Sequence, residues 1–289
     1  MDLNLPLYAY GGYSHTVEQQ LPKLADLLKA TPYTLPRRAD RLTQLSLLGL
    51  HRTPGDTALN SKTHLILASG DANLNSTILN NEQIFASGTL PNPIGFINTV
   101  NNSTAYHICV TLGIQGQATS VSRDHCSLEA GLQIAGTLQH RDPAPILLGT
   151  VDEIPNDPDQ HRQRLKISPN APLAEGSFWF HCGHPQHQQP AIATIEFCGS
   201  IGDRSQVADF FRQRQISHHL LGDLIQKSVE LGIELPGERL ATQSRGHYLT
   251  QNADYLQHWL DHAKPGERLG MLNTTVGSER ITVTLILKH

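Results

Sequence analysis

The feature that most constrains the fold is a run of short, fully apolar segments separated by helical patterns. His64-Leu65-Ile66-Leu67-Ala68 is the first clear one, closed by Ser69-Gly70. Uninterrupted apolar runs of this length mark strands covered on both faces, the situation of a sheet with helices packed above and below. Ala118 to Ser122 reads as a short strand, and a helical pattern follows from Cys126 to Leu138. Ile146-Leu147-Leu148-Gly149 then forms a third strand, so the order strand, helix, strand reads as a crossover unit and argues a mainly parallel sheet.

Further elements extend the alternation. Apolar side chains at helical spacing (Val17, Leu21, Leu24, Leu27, Leu28) predict a helix over His15 to Leu28, and Ala39 to Leu50 predicts another. Pro93 to Leu112 opens on a proline suited to a first helical turn and predicts one long helix ended by Gly113. Asp152 to Asn170 is polar and proline-bearing and reads as a surface excursion between two halves. The second half begins with strand-like Gly176 to Phe180 and Ala191 to Phe197. Helices are expected at Gln206 to Arg212, at His219 to Leu231 with His218-His219 as an ordinary helix start, and near Ala253 to His262. The chain closes on the β-branched strand Ile281 to Leu287. The expected division is one domain over 1–289, with halves at about 1–151 and 173–289 flanking an excursion at about 152–172.

Composition narrows the function. With 38% hydrophobic residues and a net charge of only -4, the chain offers no electrostatic case for nucleic acid or an anionic membrane. No apolar run approaches the roughly 20 residues of a membrane span, and MDLNLPLYAYGG lacks a basic region before its apolar residues, so a cytoplasmic protein without a secretory signal is expected. Cys109, Cys126, Cys182 and Cys198 stand at no framework spacing and read as reduced thiols. Sixteen histidines are more than usual. His181-Cys182-Gly183-His184-Pro185-Gln186-His187 groups four potential ligands, three imidazoles and a thiolate suited to zinc, but at a spacing that matches no closed zinc module. Neither a metal nor a cofactor is expected.

Four segments in the right order resemble the ketosynthase (β-ketoacyl synthase, thiolase-like) family. RRADRLTQLSLLGL, from Arg37 to Leu50, is similar to its early arginine-bearing helix, and THLILASG, from Thr63, to its first long core strand and glycine turn. PNPIGFINTVNNSTAYHICVTLGIQGQATSVS, Pro91 to Ser122, resembles the stretch leading to the nucleophile. GMLNTTVGSERITVTLIL resembles the asparagine-containing terminal turn and last strand. The resemblance implies an α/β, thiolase-like layered αβαβα fold built from two similar halves, with the C-terminal half shortened. It also implies the chemistry to test: a cysteine thiolate that takes an acyl chain, and two histidines that assist decarboxylation and condensation.

Each of those positions departs from the family. Aligning the helix by Ala130, Leu132 and Ala135 puts the nucleophile position at His125, so Cys126 is either one step out of register or the nucleophile itself. One step at a helix start turns a side chain by about 100°. Arg123, Asp124 and Glu129 are foreign to an apolar acyl pocket. Gly246-His247-Tyr248-Leu249-Thr250 is a blurred version of the first histidine motif, with Asp254 and Gln257 beyond it. Asn273 follows Asp254 by nineteen positions, which leaves no room for a segment carrying the second histidine. His258 and His262, in that remnant, suit an ordinary surface helix. Degenerate positions at His125, Cys126 and His247 therefore imply no autonomous condensation.

By resemblance the chain is most like the truncated ketosynthase-like chain length factors of aryl polyene and type II polyketide systems. Such a subunit pairs with an active ketosynthase as a heterodimer, or a dimer of heterodimers, meets acyl carrier protein only indirectly, and helps shape the partner's acyl tunnel. The implied interface is the strand Ala118, Thr119, Ser120 and Val121, and the implied tunnel floor Asp71, Asn73, Leu74 and Phe96. Two other readings stay open: an acyl-thioester enzyme using Cys126 and His247, and a homodimeric acyl-binding or scaffold protein.

Overall fold

A computed structural model describes residues 1–17, 21–54, 59–165, 167–183, 190–202, 205–227, 234–241, 246–278 and 280–289. Ten strands form one continuous sheet: β1 (Asp2–Val17), β2 (His64–Ala68), β3 (Ala118–Val121), β4 (Pro145–Asp152), β5 (Leu173–Gly183), β6 (Ala193–Ile201), β7 (His218–Leu221), β8 (Glu238–Arg239), β9 (Arg268–Asn273) and β10 (Ile281–Lys288). Their order is β3-β2-β4-β5-β1-β6-β10-β9-β7-β8. Read outward from the middle, β1-β5-β4-β2-β3 and β6-β10-β9-β7-β8 are the same arrangement twice. The directions repeat as well. β2 is parallel to β3 and β4, as β7 is to β8 and β9, while β5 and β10 run antiparallel to both their neighbours. β1 and β6 join the halves through Leu5↔Ile195 and Leu7↔Ala193.

The helices are α1 (Leu24–Leu28), α2 (Arg41–His51), α3 (Leu74–Asn81), α4 (Pro93–Ile97), α5 (Ser103–Leu112), α6 (Ser127–Arg141), α7 (Pro158–Leu165), α8 (Ser205–Gln213), α9 (Asp223–Lys227) and α10 (Asn252–His262). α6 and α10 form the inner layer. Leu128, Leu132 and Leu138 of α6 share one core with Leu256, Trp259 and Leu260 of α10 and with strand residues of both halves. α2 and α5 cover the other face of the first half through Leu42, Leu45, Leu48 and Ile108. α8 does the same for the second half through Val207 and Phe211. This is the αβαβα layering expected from the sequence.

Local chemistry explains the elements. Asp40 caps α2 by accepting from the Thr43 backbone N–H at 2.9 Å, a contact of the kind that stabilises a helix by about 1 kcal/mol. α2 is leucine-rich all round because both its neighbours are buried layers; Leu42, Leu45, Leu47, Leu48 and Leu50 are all buried. Gly149 on β4 is required by the indole above it, since a Cβ there would lie 2.3 Å from Trp179. The Trp179 Nε1–H is satisfied inside the core by the Ser46 carbonyl and Ser177 Oγ, at 3.0 and 2.9 Å.

Several expectations need correction. The sheet is mixed, with five antiparallel pairings and four parallel ones, because β5 and β10 reverse direction in each half. His15 to Val17 end β1, paired with Leu173 to Glu175, and among the described residues of the expected helix Leu24–Leu28 is the helical part, 18–20 lying outside the described residues. His218-His219 lies in β7, paired with Leu269 and Gly270 of β9, so it does not start a helix. Four-residue runs carry too little periodicity to separate the two states. Pro93 to Leu112 is two helices, broken over 98–102. Leu173 to Gly183, assigned to the second half, pairs with β4 and β1 and falls with the first by its pairing. The excursion at 152–172 contains α7 and buries Asp152, Glu153 and His161, so it is only partly a surface segment. The second half is nevertheless the shorter, its strands spanning residues 193–288 against 2–183 for the first. Among the described residues no helix is long and apolar enough to cross a membrane.

Candidate functional site

The repeat brings two equivalent positions into focus: the residues that enter α6 after β3, and those that enter α10 after β8. In open α/β sheets such positions, beyond the carboxyl ends of parallel strands, are where ligands bind.

The α6 position holds Asp124, His125 and Cys126. Asp124 has φ 52°, a left-handed turn for a non-glycine residue, and its carboxylate accepts from the Val276 N–H at 3.1 Å and meets His125 Nδ1 at 3.0 Å. His125 is buried, and its carbonyl accepts from Asn273 Nδ2. Cys126 is 1% exposed, with its Sγ directed to Thr282 Oγ1 at 3.8 Å. Burial, and then the neighbouring Glu129 carboxyl, push the Cys126 thiol far above its ordinary range. A nucleophilic cysteine needs the opposite, an exposed thiolate in positive surroundings.

Glu129 itself is 1% exposed and raised by burial. One of its oxygens accepts from Asn273 Nδ2 at 3.1 Å and Asn252 Nδ2 at 3.4 Å, while Oε2 has no partner. Asn273, at the end of β9, thus holds the start of α6 and reaches back to Thr274 N–H through its Oδ1 at 3.0 Å. A Cβ at Gly222 would lie 2.4 Å from that same Oδ1, which is why the turn after β7 carries glycine.

The α10 position holds His247. Its backbone is tied to the first half, donating to Pro172 O at 2.9 Å and accepting from Ala174 N–H at 3.3 Å. Its Nδ1 meets Asp223 Oδ2 at 2.5 Å, and its side chain stays 20% exposed. An imidazole oriented by a carboxylate through Nδ1 leaves Nε2 available to a proton donor or acceptor. No hydrogen bond or ion pair joins His247 to Cys126 among the described residues.

The topology revises the reading of the histidines. β7, α9 and β8 all precede His247, which lies in the connection from β8 to α10, five residues before that helix begins at Asn252, whereas Cys126 immediately precedes Ser127 of α6. His247 therefore lies in the second-half counterpart of the connection that holds the nucleophile position, and Asp223 begins α9 after β7. Only α10 and β9 fill Asp254 to Asn273, but that short stretch is no measure of a lost histidine segment, because the strand and helix expected there lie upstream.

Asp152, at the end of β4, stitches the halves. Its Oδ1 accepts from Ser69 Oγ and Gly70 N–H, both at 2.8 Å, and Asp71 N–H at 3.1 Å, and its Oδ2 accepts from Thr250 N–H at 2.9 Å. Burial and the adjacent Asp71 raise its pKa. Asp71 pairs with Arg164 and lies 3.7 Å from His161, whose own pKa burial lowers to about 4.

The residues expected at the tunnel and interface divide into three groups. Asp71 and Asn73 are buried in polar contacts, Asn73 with Asp40 and Ser103. Leu74 lines a 450 Å³ cavity with Ile78, Pro155, His161 and Arg164. Phe96 is 58% exposed, and Ala118, Thr119, Ser120 and Val121 form β3, a sheet edge paired on one side only, to β2. His181 is buried with neither ring nitrogen hydrogen-bonded, while His184 to His187 lie outside the described residues. Among the described residues no cluster of three or more ligating side chains could hold a metal. Sequence reasoning missed Asp223, whose only signal was its place after the apolar run Leu220-Leu221, and the Glu129–Asn273 contact, which had none.

No family model and no curated protein matches the chain. Solved structures do. The chain is similar to the ishigamide ketosynthase/chain length factor, at 14% identity over 99% of each chain with a TM-score of 0.77. It is also similar to a type II polyketide ketosynthase solved with its acyl-carrier protein, at 11% identity over 100% of each chain and TM-score 0.69. A β-ketoacyl synthase from Burkholderia phymatum matches at 12% identity over 100% of each chain, with TM-score 0.63. End to end, the chain has the thiolase-like fold of ketosynthases and their chain length factors.

Proposed function

We propose that this chain is a non-catalytic ketosynthase-like subunit, a chain length factor, folded as one thiolase-like domain. It pairs with an active β-ketoacyl synthase and shapes that partner's acyl tunnel in polyketide, aryl polyene or fatty-acid-type biosynthesis. The observation that carries this reading is the surface beside β3. Among the described residues twelve large hydrophobic residues are exposed, and nine of them fall between residues 79 and 110: Leu79, Ile84, Phe85, Leu90, Phe96, Ile97, Val100, Tyr106 and Val110. So many exposed apolar side chains on the segment that leads from β2 into the open-edge strand β3 are a liability unless another protein covers them. The ketosynthase and chain length factor structures that share this fold supply the natural class of partner.

Two features support a subunit without its own condensation chemistry. Cys126 is buried against Glu129 and its thiol is held protonated. Arg164 and His161, both tied to Asp71, line one side of the cavity that Leu74 and Ile78 also line, which would be this subunit's share of a tunnel completed by the partner. Carrier protein then engages mainly the active subunit, and the assembly is a heterodimer or a dimer of heterodimers.

Co-expression with an adjacent active ketosynthase should give a soluble complex of large buried area. The double substitution Phe96→Asp with Tyr106→Asp should dissolve the complex while leaving the fold intact. A soluble chain that stays monomeric, and never co-purifies with a ketosynthase, ends the proposal; a stable self-dimer would favour the homodimeric scaffold. The acyl-thioester enzyme reading is revived only if an acyl-pantetheine probe labels the chain and Cys126→Ala abolishes the label.

A further inference from the structure

A second cavity, of 690 Å³, opens on the other side of α3, between α3, α4 and the residues that follow β4. Its size is that of small-molecule pockets, typically about 300–1,000 Å³. It shares neither Cys126 nor His247, and it does not include Leu74 or Ile78 of the cavity assigned above to the tunnel.

Its polar groups are placed in an unusual way. Asn80 is 6% exposed, and its Nδ2 donates to Ser76 O at 2.8 Å and Gly95 O at 2.9 Å. Those two carbonyls fix the amide orientation, because a flip would set oxygen against oxygen. The Asn80 Oδ1 is thereby left as a buried acceptor with no hydrogen-bond partner. A buried acceptor without a donor is costly, so it marks a place where a donor is expected. Glu153, 7% exposed, also lines the cavity. Burial and then Asp40 push its carboxyl up to about 8, so at neutral pH it largely keeps a proton that it can donate. At the rim stands Arg38, exposed, with φ 64° and no hydrogen bond or ion pair among the described residues. Leu79, Ile94 and Ile154 supply apolar wall between these groups.

We infer that this cavity is a binding site for a small anionic amphiphile carrying a hydroxyl or amide N–H: the N–H or O–H meets Asn80 Oδ1, the apolar part lies on Leu79, Ile94 and Ile154, and the anion faces Arg38. The lining is contributed by this chain, and of it Leu79 also stands among the exposed residues assigned above to the partner surface, so the test uses the chain without a partner.

Calorimetric titration of the purified chain tests it with three probes: N-hexanoylglycine, its methyl ester without the charge, and octanoate without the N–H. N-hexanoylglycine should bind with a Kd below about 1 mM and octanoate about tenfold more weakly, the difference that one hydrogen bond to a buried acceptor supplies. Arg38→Gly, which suits the left-handed backbone, should weaken the acid about tenfold and leave the ester unchanged. Gly95→Leu, which fills the cavity beside Asn80, should abolish binding of all three. Saturation by none of the probes up to about 10 mM would mean that the cavity holds only solvent and would overturn the inference. Equal affinity for the acid and octanoate, or an affinity unmoved by Arg38→Gly, would overturn it as well.

Discussion

The two ways into the inner helices invite comparison, because strand order makes them equivalent and chemistry does not. At α6 the first half buries a thiol, a histidine and a carboxyl, held by Thr282 and Asn273 from the second half. At α10 the second half leaves a histidine one-fifth exposed and oriented by Asp223. A position that would expose a nucleophile is sealed as packing, while its counterpart keeps the arrangement of an acid–base pair. Equivalent places in a repeated fold are thus free to take opposite roles, and the fold alone does not settle which is active.

The sharpest way to break this contrast is Asn273→Ala. It strips Glu129 of its main donor and His125 of its carbonyl partner, and should cost about 2–4 kcal/mol in urea unfolding. Adding Glu129→Gln should recover part of that loss; no recovery would mean that the carboxyl is not the group left in distress.

Next in size is a pH effect confined to the first half. Glu153 has its folded pKa raised from 4.5 to about 8, so the folded chain holds a proton that the unfolded chain releases. Stability should therefore fall as pH rises across that window, by an amount of order a few kcal/mol if burial dominates. Glu153→Gln should flatten the slope between pH 5 and 8 in thermal melts, and an unchanged slope would assign it to other groups.

At the α10 position the effect on folding should be smaller. His247→Gln should cost about 1 kcal/mol, the loss of one partly exposed hydrogen-bonded contact. The informative readout is condensation by the co-expressed pair. Unchanged turnover fits a shaping subunit, whereas a fall of two orders of magnitude or more would make His247 a participant. The least effect is expected at Cys126→Ala, below about 1 kcal/mol for a small buried thiol. Iodoacetamide should label the half-buried Cys109 before Cys126, and the reverse order would contradict a sealed α6 position.

Much of the fold was legible because its signals are local. β2 and β4 are apolar runs, β10 is rich in β-branched residues, α2 and α6 carry leucines at helical spacing, and Pro93 marks a helix start. What escaped was set by distant pairing. β7 is written His-His-Leu-Leu and becomes a strand through β9, fifty residues later in sequence. β1 extends through His15 to Val17 because Glu175, Ala174 and Leu173 lie opposite. The site followed the same division. Cys126 could be placed within a residue from its own helix, whereas Glu129 meets Asn273 across 144 residues and His247 meets Asp223 across 24.

The repeated strand order also bears on how the chain comes to be folded. All five strands of the first half lie before residue 184, so that half can assemble its sheet while the rest is still being synthesised. Its helix α6, however, depends on Asn273 and Thr282, which lie 148 and 156 residues beyond the groups they meet and so emerge much later. Until then Glu129 and Cys126 lack the groups that bury them, and the α6 position is open to water. Closure is thus a late event of high sequence separation, and the first half should be most vulnerable to aggregation and proteolysis in that interval.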